Sequence, residues 1–228
     1  MSPKLARKTA KTVGKAAKPR PYHHGDLRRT LVDAAFALVT EEQDWGFSLR
    51  EVSRRAGVSH TAAYNHFAEK RDLLAAVAAQ GFDLLRARMS DAVAKAATPD
   101  GWFMASGHAY VGFAVEQPAL YRLMFGQTLA ARYADRPQGL RAAGAAAKAV
   151  LEEIVVRGAR AGRFAVAPDD RAALAAAVLT SWSVVHGLST LIIDGENVEG
   201  RSTHDIVEQV LENLLNGLGR GSVRRSAK

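Results

Sequence analysis

From Asp26 to about Gln43, apolar residues recur at helical spacing, with Leu27, Leu31, Ala34, Ala35 and Leu38 on one face. This predicts a helix closed by a glycine turn at Gly46, between two aromatics, Trp45 and Phe47, that read as core. A shorter helix is expected from Ser48, a good N-cap residue with Glu51 three positions on as a capping box; Leu49, Val52 and Ala56 share its apolar face. Gly57 stands where a left-handed residue commonly ends a helix, Val58 fits the corner, and Ser59 caps a third helix to His66. A long helix then spans about 70–96, with Leu73, Leu74, Val77, Phe82, Leu85 and Met89 as its stripe.

Thr98-Pro99-Asp100 is a stop and a restart, a threonine cap with proline at the first helical position, and opens a helix over about 100–116. Gln117-Pro118 breaks it, and 118–125 reads as a short apolar helix followed by a polar loop over 126–138. Helices are further predicted over 139–161, 169–193 and 203–217, the last opened by Ser202 with Asp205 three on. No strand alternation and no internal repeat is found, so the expected fold is all-α with about nine helices.

The 228 residues suffice for one large helical domain or a small one joined to a larger one. The net charge of +8 changes meaning once it is located. Residues 1–20 carry seven Lys or Arg and no acid, and residues 219–228 carry four more. Without these tails the chain has 20 basic against 23 acidic side chains. A surface that binds phosphate everywhere is therefore not indicated, whereas a basic arm and a few placed cations are compatible with it. Residues 1–21 read as a disordered basic arm that could add salt-sensitive attraction to DNA; a solubilising leader has the same composition. No cysteine is present, which removes disulfides, thiolate metal sites and a cysteine nucleophile, and suits a reducing cytoplasm. No signal peptide is expected, and no apolar run is read as approaching the roughly 18 residues that cross a bilayer.

The candidate chemistry lies in the third helix. A short polar helix after a glycine turn, presenting His60, Thr61, Tyr64 and Asn65, fits the recognition helix of a helix-turn-helix. The same spacing fits a helical hairpin that binds nothing. Catalysis has no support: the chain has no phosphate loop, nucleophile elbow or HExxH motif, and its seven histidines are not set at metal-ligand spacing. A DNA-compacting protein working through head and tails alone is a second rival, but a large aromatic-rich second half is not needed for that role.

Residues 22–74 resemble the DNA-binding head of TetR/AcrR-family transcriptional regulators. The likeness rests on SLREVSRRAGVS, the Tyr64-x-x-Phe67 pair, Lys70 and Leu73-Leu74. The segments from Pro118 to Phe125 and from Trp182 to Gly187 resemble the subgroup with a Trp…His-Gly C-terminal domain. Thr61 departs from the glycine common there, Ala63 from a larger residue, and Glu69 from a capping serine. The resemblance implies a nine-helix subunit with an arm (1–21), a helix-turn-helix domain (22–68), a ligand-binding and dimerisation domain (69–218) and a basic tail (219–228). It further implies a cytoplasmic homodimer, paired through the last two long helices, that binds a palindromic double-stranded DNA operator and is released by a small effector. No cofactor, metal or membrane is implied. Tyr64 and Lys70 match phosphate-holding positions, with Ser48 and Arg50 beside them; His60, Thr61 and Asn65 are the base-reading candidates, flanked by Ser59 and His66. Trp102, Phe103, Tyr110, Phe113, Tyr121, Phe125, Trp182 and His186 are the candidates for an apolar effector pocket, although aromatics at helical spacing are also ordinary core.

Overall fold

Caps and apolar stripes set most of the helix limits. The computed structural model describes residues 27–129, 132–196 and 200–219; the basic arm and nearly all of the basic tail lie outside them. Among the described residues are nine α-helices and no strand: α1 (Leu27–Glu42), α2 (Leu49–Arg55), α3 (His60–His66), α4 (Lys70–Ala94), α5 (Pro99–Glu116), α6 (Pro118–Phe125), α7 (Gln138–Arg160), α8 (Arg171–Ile193) and α9 (Thr203–Gly219). The foreseen loop after α6 contains one turn of 3-10 helix, Tyr133–Asp135.

Four of the expected side-chain caps are in place. Ser48 Oγ accepts the Glu51 N–H at 3.2 Å, Ser59 Oγ that of Ala62 at 3.2 Å, Thr98 Oγ1 that of Gly101 at 3.1 Å and Ser202 Oγ that of Asp205 at 3.1 Å. Each satisfies an N–H that the helix itself leaves without a partner. At Glu69 the Asp72 carboxylate accepts the Glu69 N–H at 3.2 Å, as part of a capping box that opens α4. Gly57 is left-handed (φ +68°), as its place after α2 predicts.

The turn after α1 differs from expectation. Gly46 is not left-handed; Gln43 is, at φ 53°. Two side-chain bonds hold Gln43 there: Nε2 donates to Thr40 O at 2.7 Å, and Oε1 accepts the Ala119 N–H at 3.3 Å. The turn is thus fixed by a contact 76 residues away, which local chemistry does not reveal.

Helices α1–α3 form the head, with Leu31, Val39, Phe47, Val52, Ala63 and Phe67 in its core. Ala63 is fully buried. The 25-residue α4 leaves the head and packs in turn against α1, α5, α6 and α7. Leu73, Val77, Ala78 and Leu85 of its stripe are 0–1% exposed. Burial of each large apolar side chain stabilises by about 1.5–3 kcal/mol. Head and body therefore share one continuous core.

One expectation is overturned in α8. Its 23 residues are long and apolar enough to cross a membrane, because from Ala172 onward it contains no Asp, Glu, Lys or Arg. Here it packs against α5, α7 and α9, with Val178, Ser181, Val185 and Ser189 turned inward. The buried serines donate to the Ala177 and Val185 carbonyls, so they count little against hydropathy yet leave no donor unmet.

Two glycines should respond differently to alanine. Beyond Gly57 there is space for a Cβ, so Gly57→Ala meets only the left-handed strain of about 1–2 kcal/mol. At Gly158 in α7 a Cβ would lie 2.1 Å from the buried Phe164 ring. Gly158→Ala is expected to lower the urea midpoint further than Gly57→Ala, despite alanine's better helix propensity; the reverse order would place the tight contact elsewhere.

Candidate functional site

Two regions carry chemistry. The first is the outer face of α3. Ser59, His60, Thr61, Tyr64 and Asn65 are all exposed, while Ala63 and Phe67 point into the head. Tyr64 keeps 47% exposure, unusual for so large a ring, and the His60 ring meets it edge-on at 4.8 Å. His66, the last residue of the helix, is half-buried. Ser48 and Arg50 lie at the start of α2 and, with His60, border one cleft. Lys70 stands at the start of α4 with its ammonium 5.0 Å from the Phe47 ring centre, and burial holds its pKa below the ordinary lysine value.

Pairing decides which cations of the head are available. Arg55 is clamped by both Glu41 oxygens at 2.5 Å, Arg54 faces Glu51 at 3.7 Å and Arg29 faces Asp33 at 3.7 Å. Arg50 and Lys70 make no ion pair among the described residues. The two cations singled out from the sequence are thus uncommitted, although the head holds equal numbers of acids and bases over residues 22–71, seven of each.

The second region is a cavity of about 740 Å³ inside the body, a size that suits a small organic molecule. Phe82, Leu85 and Met89 of α4 form one wall; Ser106, Gly107 and Tyr110 of α5 form another. The α7 wall includes Ala147 and Leu151, and α8 contributes Trp182, Val185 and His186. Phe125, Gly126, Gln127 and Arg136 close the end at the α6 C-terminus.

A chain of polar groups runs through this end. Trp182 Nε1–H donates to Tyr110 Oη at 3.3 Å, and Tyr110 Oη lies 3.2 Å from Tyr121 Oη. Tyr121 Oη lies 2.6 Å and Tyr110 Oη 3.1 Å from His186 Nδ1. Because a hydroxyl donates once, the arrangement that meets every group runs one way: Trp182 to Tyr110, Tyr110 to Tyr121, Tyr121 to His186 Nδ1. His186 is then a neutral ring with its proton on Nε2. Burial favours the same state, lowering the His186 pKa; it also raises Tyr121 to about 12 and Tyr110 well above the phenol range.

Of the eight aromatic and histidine candidates, Tyr110, Phe125, Trp182 and His186 line this cavity. Tyr121 borders a smaller pocket of about 250 Å³ that shares Phe125, Gly126 and His186 with it. Trp102, Phe103 and Phe113 line neither. The Trp102 indole donates to Ala96 O at 2.9 Å and lies under the Arg157 guanidinium at 3.7 Å. Phe103 packs edge-on against Phe164 at 5.9 Å, and Phe113 has no exposed surface and sits beneath Arg88. Phe103 lies on the same face of α5 as Tyr110 but two turns nearer its start, beyond the cavity. The sequence reading missed Arg136, which is 8% exposed and donates to the carbonyls of Met124 (2.7 Å), Phe125 (3.2 Å) and Gly126 (2.8 Å). An arginine in a polar loop looks solvated, and nothing local signals that it turns inward.

With this geometry in place, likeness to known proteins becomes specific. The family described as bacterial regulatory proteins of the tetR type matches residues 31–77, and the one described as the tetracyclin repressor-like C-terminal domain matches residues 103–217. The chain belongs to the TetR family of transcriptional regulators. It is a DNA-binding helix-turn-helix protein and not an enzyme. The uncharacterized HTH-type transcriptional regulator YobS of Bacillus subtilis is 32% identical over 97 residues, which cover 42% of this chain and half of that protein. A protein of unknown function from Rhodococcus sp. RHA1 superposes with a TM-score of 0.74 at 32% identity, covering 89% of this chain and all of the other. The TetR family regulator PfmR of Thermus thermophilus shares the fold at 19% identity, with a TM-score of 0.55 over 83% of this chain and 99% of its own.

The buried network has a pH signature. With its folded pKa depressed, His186 contributes stability that is present above the ordinary histidine value of about 6.5 and is lost as pH falls from there through the lower folded value. Tyr121, with its pKa raised, contributes stability that is full below about pH 10 and is lost on the way to about 12. Urea unfolding of His186→Leu against the parent is expected to show a gap that narrows from pH 7.5 to pH 5.5; a gap independent of pH would mean that the ring does not titrate with folding.

Proposed function

We propose that the protein is a dimeric, sequence-specific repressor of the cytoplasm, whose hold on a near-palindromic operator is released by a small apolar or amphipathic effector. The observation that carries this reading is the face of α3. Five polar or aromatic side chains are left in solvent on a helix whose other side is buried through Ala63 and Phe67, which is how a reading helix is presented to a major groove. His60, Thr61 and Asn65 meet base edges; an asparagine can pair bidentately with adenine, and a threonine methyl can touch thymine. Tyr64, Lys70, Ser48 and Arg50 hold phosphates, with Ser59 and His66 at the margins. Because the head is not broadly basic, affinity comes from these placed contacts and from having two heads.

Pairing through α8 and α9 is supported by the outer side of α8. Leu179 and Leu191 are 56% and 52% exposed, in line with the exposed Ala172, Ala176, Ser183 and Gly187. Ala177, by contrast, is buried within the subunit and Ala173 half-buried. A stripe of small residues with two leucines lets two copies approach closely in a four-helix arrangement, with heads about 34 Å apart to reach successive grooves.

Release is supported by α6. Its last residue, Phe125, lines the cavity, while the Ala119 N–H in its first turn is held by Gln43 at the end of α1. Arg71, at the head end of α4, donates to Leu129 O in the loop that follows α6. A ligand that prefers one setting of α6 thereby favours one setting of the heads; the shift cannot exceed its difference in affinity for the two.

Fluorescence anisotropy on a selected operator and on random duplex tests the head. Asn65→Ala is expected to lose about 1–3 kcal/mol of discrimination at one base pair, whereas Lys70→Ala weakens both DNAs alike. Equal losses for both variants would sink the division between base and phosphate contacts. Leu179→Lys is expected to give monomers in sedimentation and to abolish operator binding with the helix content intact; a dimer that still forms would move the interface off α8.

A further inference from the structure

Of the neutral side-chain donors that line the cavity away from bulk water, all but one are engaged. Trp182 Nε1–H serves Tyr110, Tyr110 serves Tyr121, and Tyr121 serves His186 Nδ1. Ser106 Oγ donates to Phe103 O at 3.0 Å, and the Gln127 side chain is exposed. The two cations are committed as well: the terminal nitrogens of Arg136 donate to the three carbonyls that end α6, and Lys148 meets Glu152 at 2.9 Å. What is left is His186 Nε2–H, which meets no acceptor among the described residues. The two nitrogens of an imidazole point to different sides of the ring, so this bond leads away from the phenols. His186 borders both the large cavity and the smaller pocket that shares Phe125 and Gly126 with it, which leaves the donor where the two meet. Elsewhere the walls are apolar, with Phe82, Leu85 and Met89 on α4 and Ala147 and Leu151 on α7.

We propose that the effector is a neutral carbonyl compound, a ketone, ester or lactone on an apolar body, whose oxygen accepts the hydrogen bond of His186 Nε2–H. This rests on the cavity being the effector site. An apolar body that fills the space expels the water that would otherwise meet this N–H, and a buried donor left unmet weakens binding. The body must therefore carry an acceptor at this point. A carbonyl suits the position because it accepts and does not donate, so it brings no new donor that needs a partner. Ionised groups match it less well. A carboxylate has lone pairs on two oxygens to satisfy and would find one N–H at His186, while the Arg136 terminal nitrogens are held by α6. An ammonium brings three donors, and among the described residues that line the cavity there is no carboxylate to receive them. Burial keeps the imidazole neutral, which preserves both its bond from Tyr121 and its free Nε2–H.

The test titrates 2-decanone, decanoate and decylamine into the full chain at pH 7.5 by calorimetry. Infrared difference spectra follow the carbonyl stretch of 2-decanone labelled with carbon-13 at that carbon. The ketone is expected to bind at least about tenfold more tightly than either ion, because each ion loses more hydration in the same space. Its bound carbonyl band should lie at lower wavenumber than in hexane, the mark of an accepted hydrogen bond. In His186→Phe, which keeps an aromatic ring and removes the donor, the band should return to the hexane position and affinity should fall about fivefold. A nitrogen-15 spectrum of the parent decides the point even if that variant folds poorly: ketone binding should move the His186 Nε2 resonance and leave Nδ1 nearly in place. If decanoate or decylamine binds the parent as tightly as the ketone, the neutral class is wrong while the cavity remains a ligand site. A ketone bound with its band at the hexane position, a lowered band that survives in His186→Phe, or an unmoved Nε2 resonance overturns the role of His186. If none of the three binds, both this inference and the effector-site reading of the cavity fall.

Discussion

The shared burial of α4 governs the rest of the molecule. Its first turns complete the core of the head against α1, and its later turns, through Phe82, Leu85 and Met89, form a wall of the cavity. One helix therefore serves both ends of the core, with no flexible linker between them. α4 is thus common to the core beneath α3 and to the wall of the cavity. A domain joined by a loop would not have this property.

Within the body, the constraint is satisfaction of polar groups in an apolar space. Two phenols, an indole N–H and an imidazole lie against phenylalanine and aliphatic walls, where each unmet hydrogen bond costs about 1–3 kcal/mol. The one-directional chain from Trp182 to His186 meets the indole N–H, both phenols and the imidazole Nδ1, and it fixes the tautomer of the histidine. It also fixes side-chain positions: Tyr121 comes from α6, Tyr110 from α5, and His186 from α8, so three helices are tied at one point. The paired phenols and the ring that receives them hold α6 against α8 more specifically than apolar packing alone would.

Local chemistry was legible in the sequence and long-range placement was not. Ser48, Ser59, Thr98 and Ser202 could be read as caps because a cap needs only its own helix. Gly57 could be read because its conformation follows from the end of α2. Gln43 could not, since its left-handed backbone depends on Ala119. The aromatics show the same limit within one helix. Trp102, Phe103, Tyr110 and Phe113 all lie on α5 at helical spacing, and only the positions of α4, α7 and α8 decide that Tyr110 alone of the four faces the cavity. The exposed polar face of α3 was foreseen because a short helix with one buried side leaves little choice for the other. In α8 the absence of formal charge is easily missed, because serines, two threonines and a histidine break up the run in the sequence but not in the helix.

The size of α6 has a mechanical consequence. Eight residues make a rod of about 12 Å, well short of the length at which a helix holds together alone in water. It exists because Ala119, Leu120, Tyr121, Leu123 and Met124 are buried against α1, α4 and α5, with Gln43 and Arg136 holding its two ends. Holding it at both ends ties Phe125, which lines the cavity, to Ala119, which meets the end of α1, across two turns of helix.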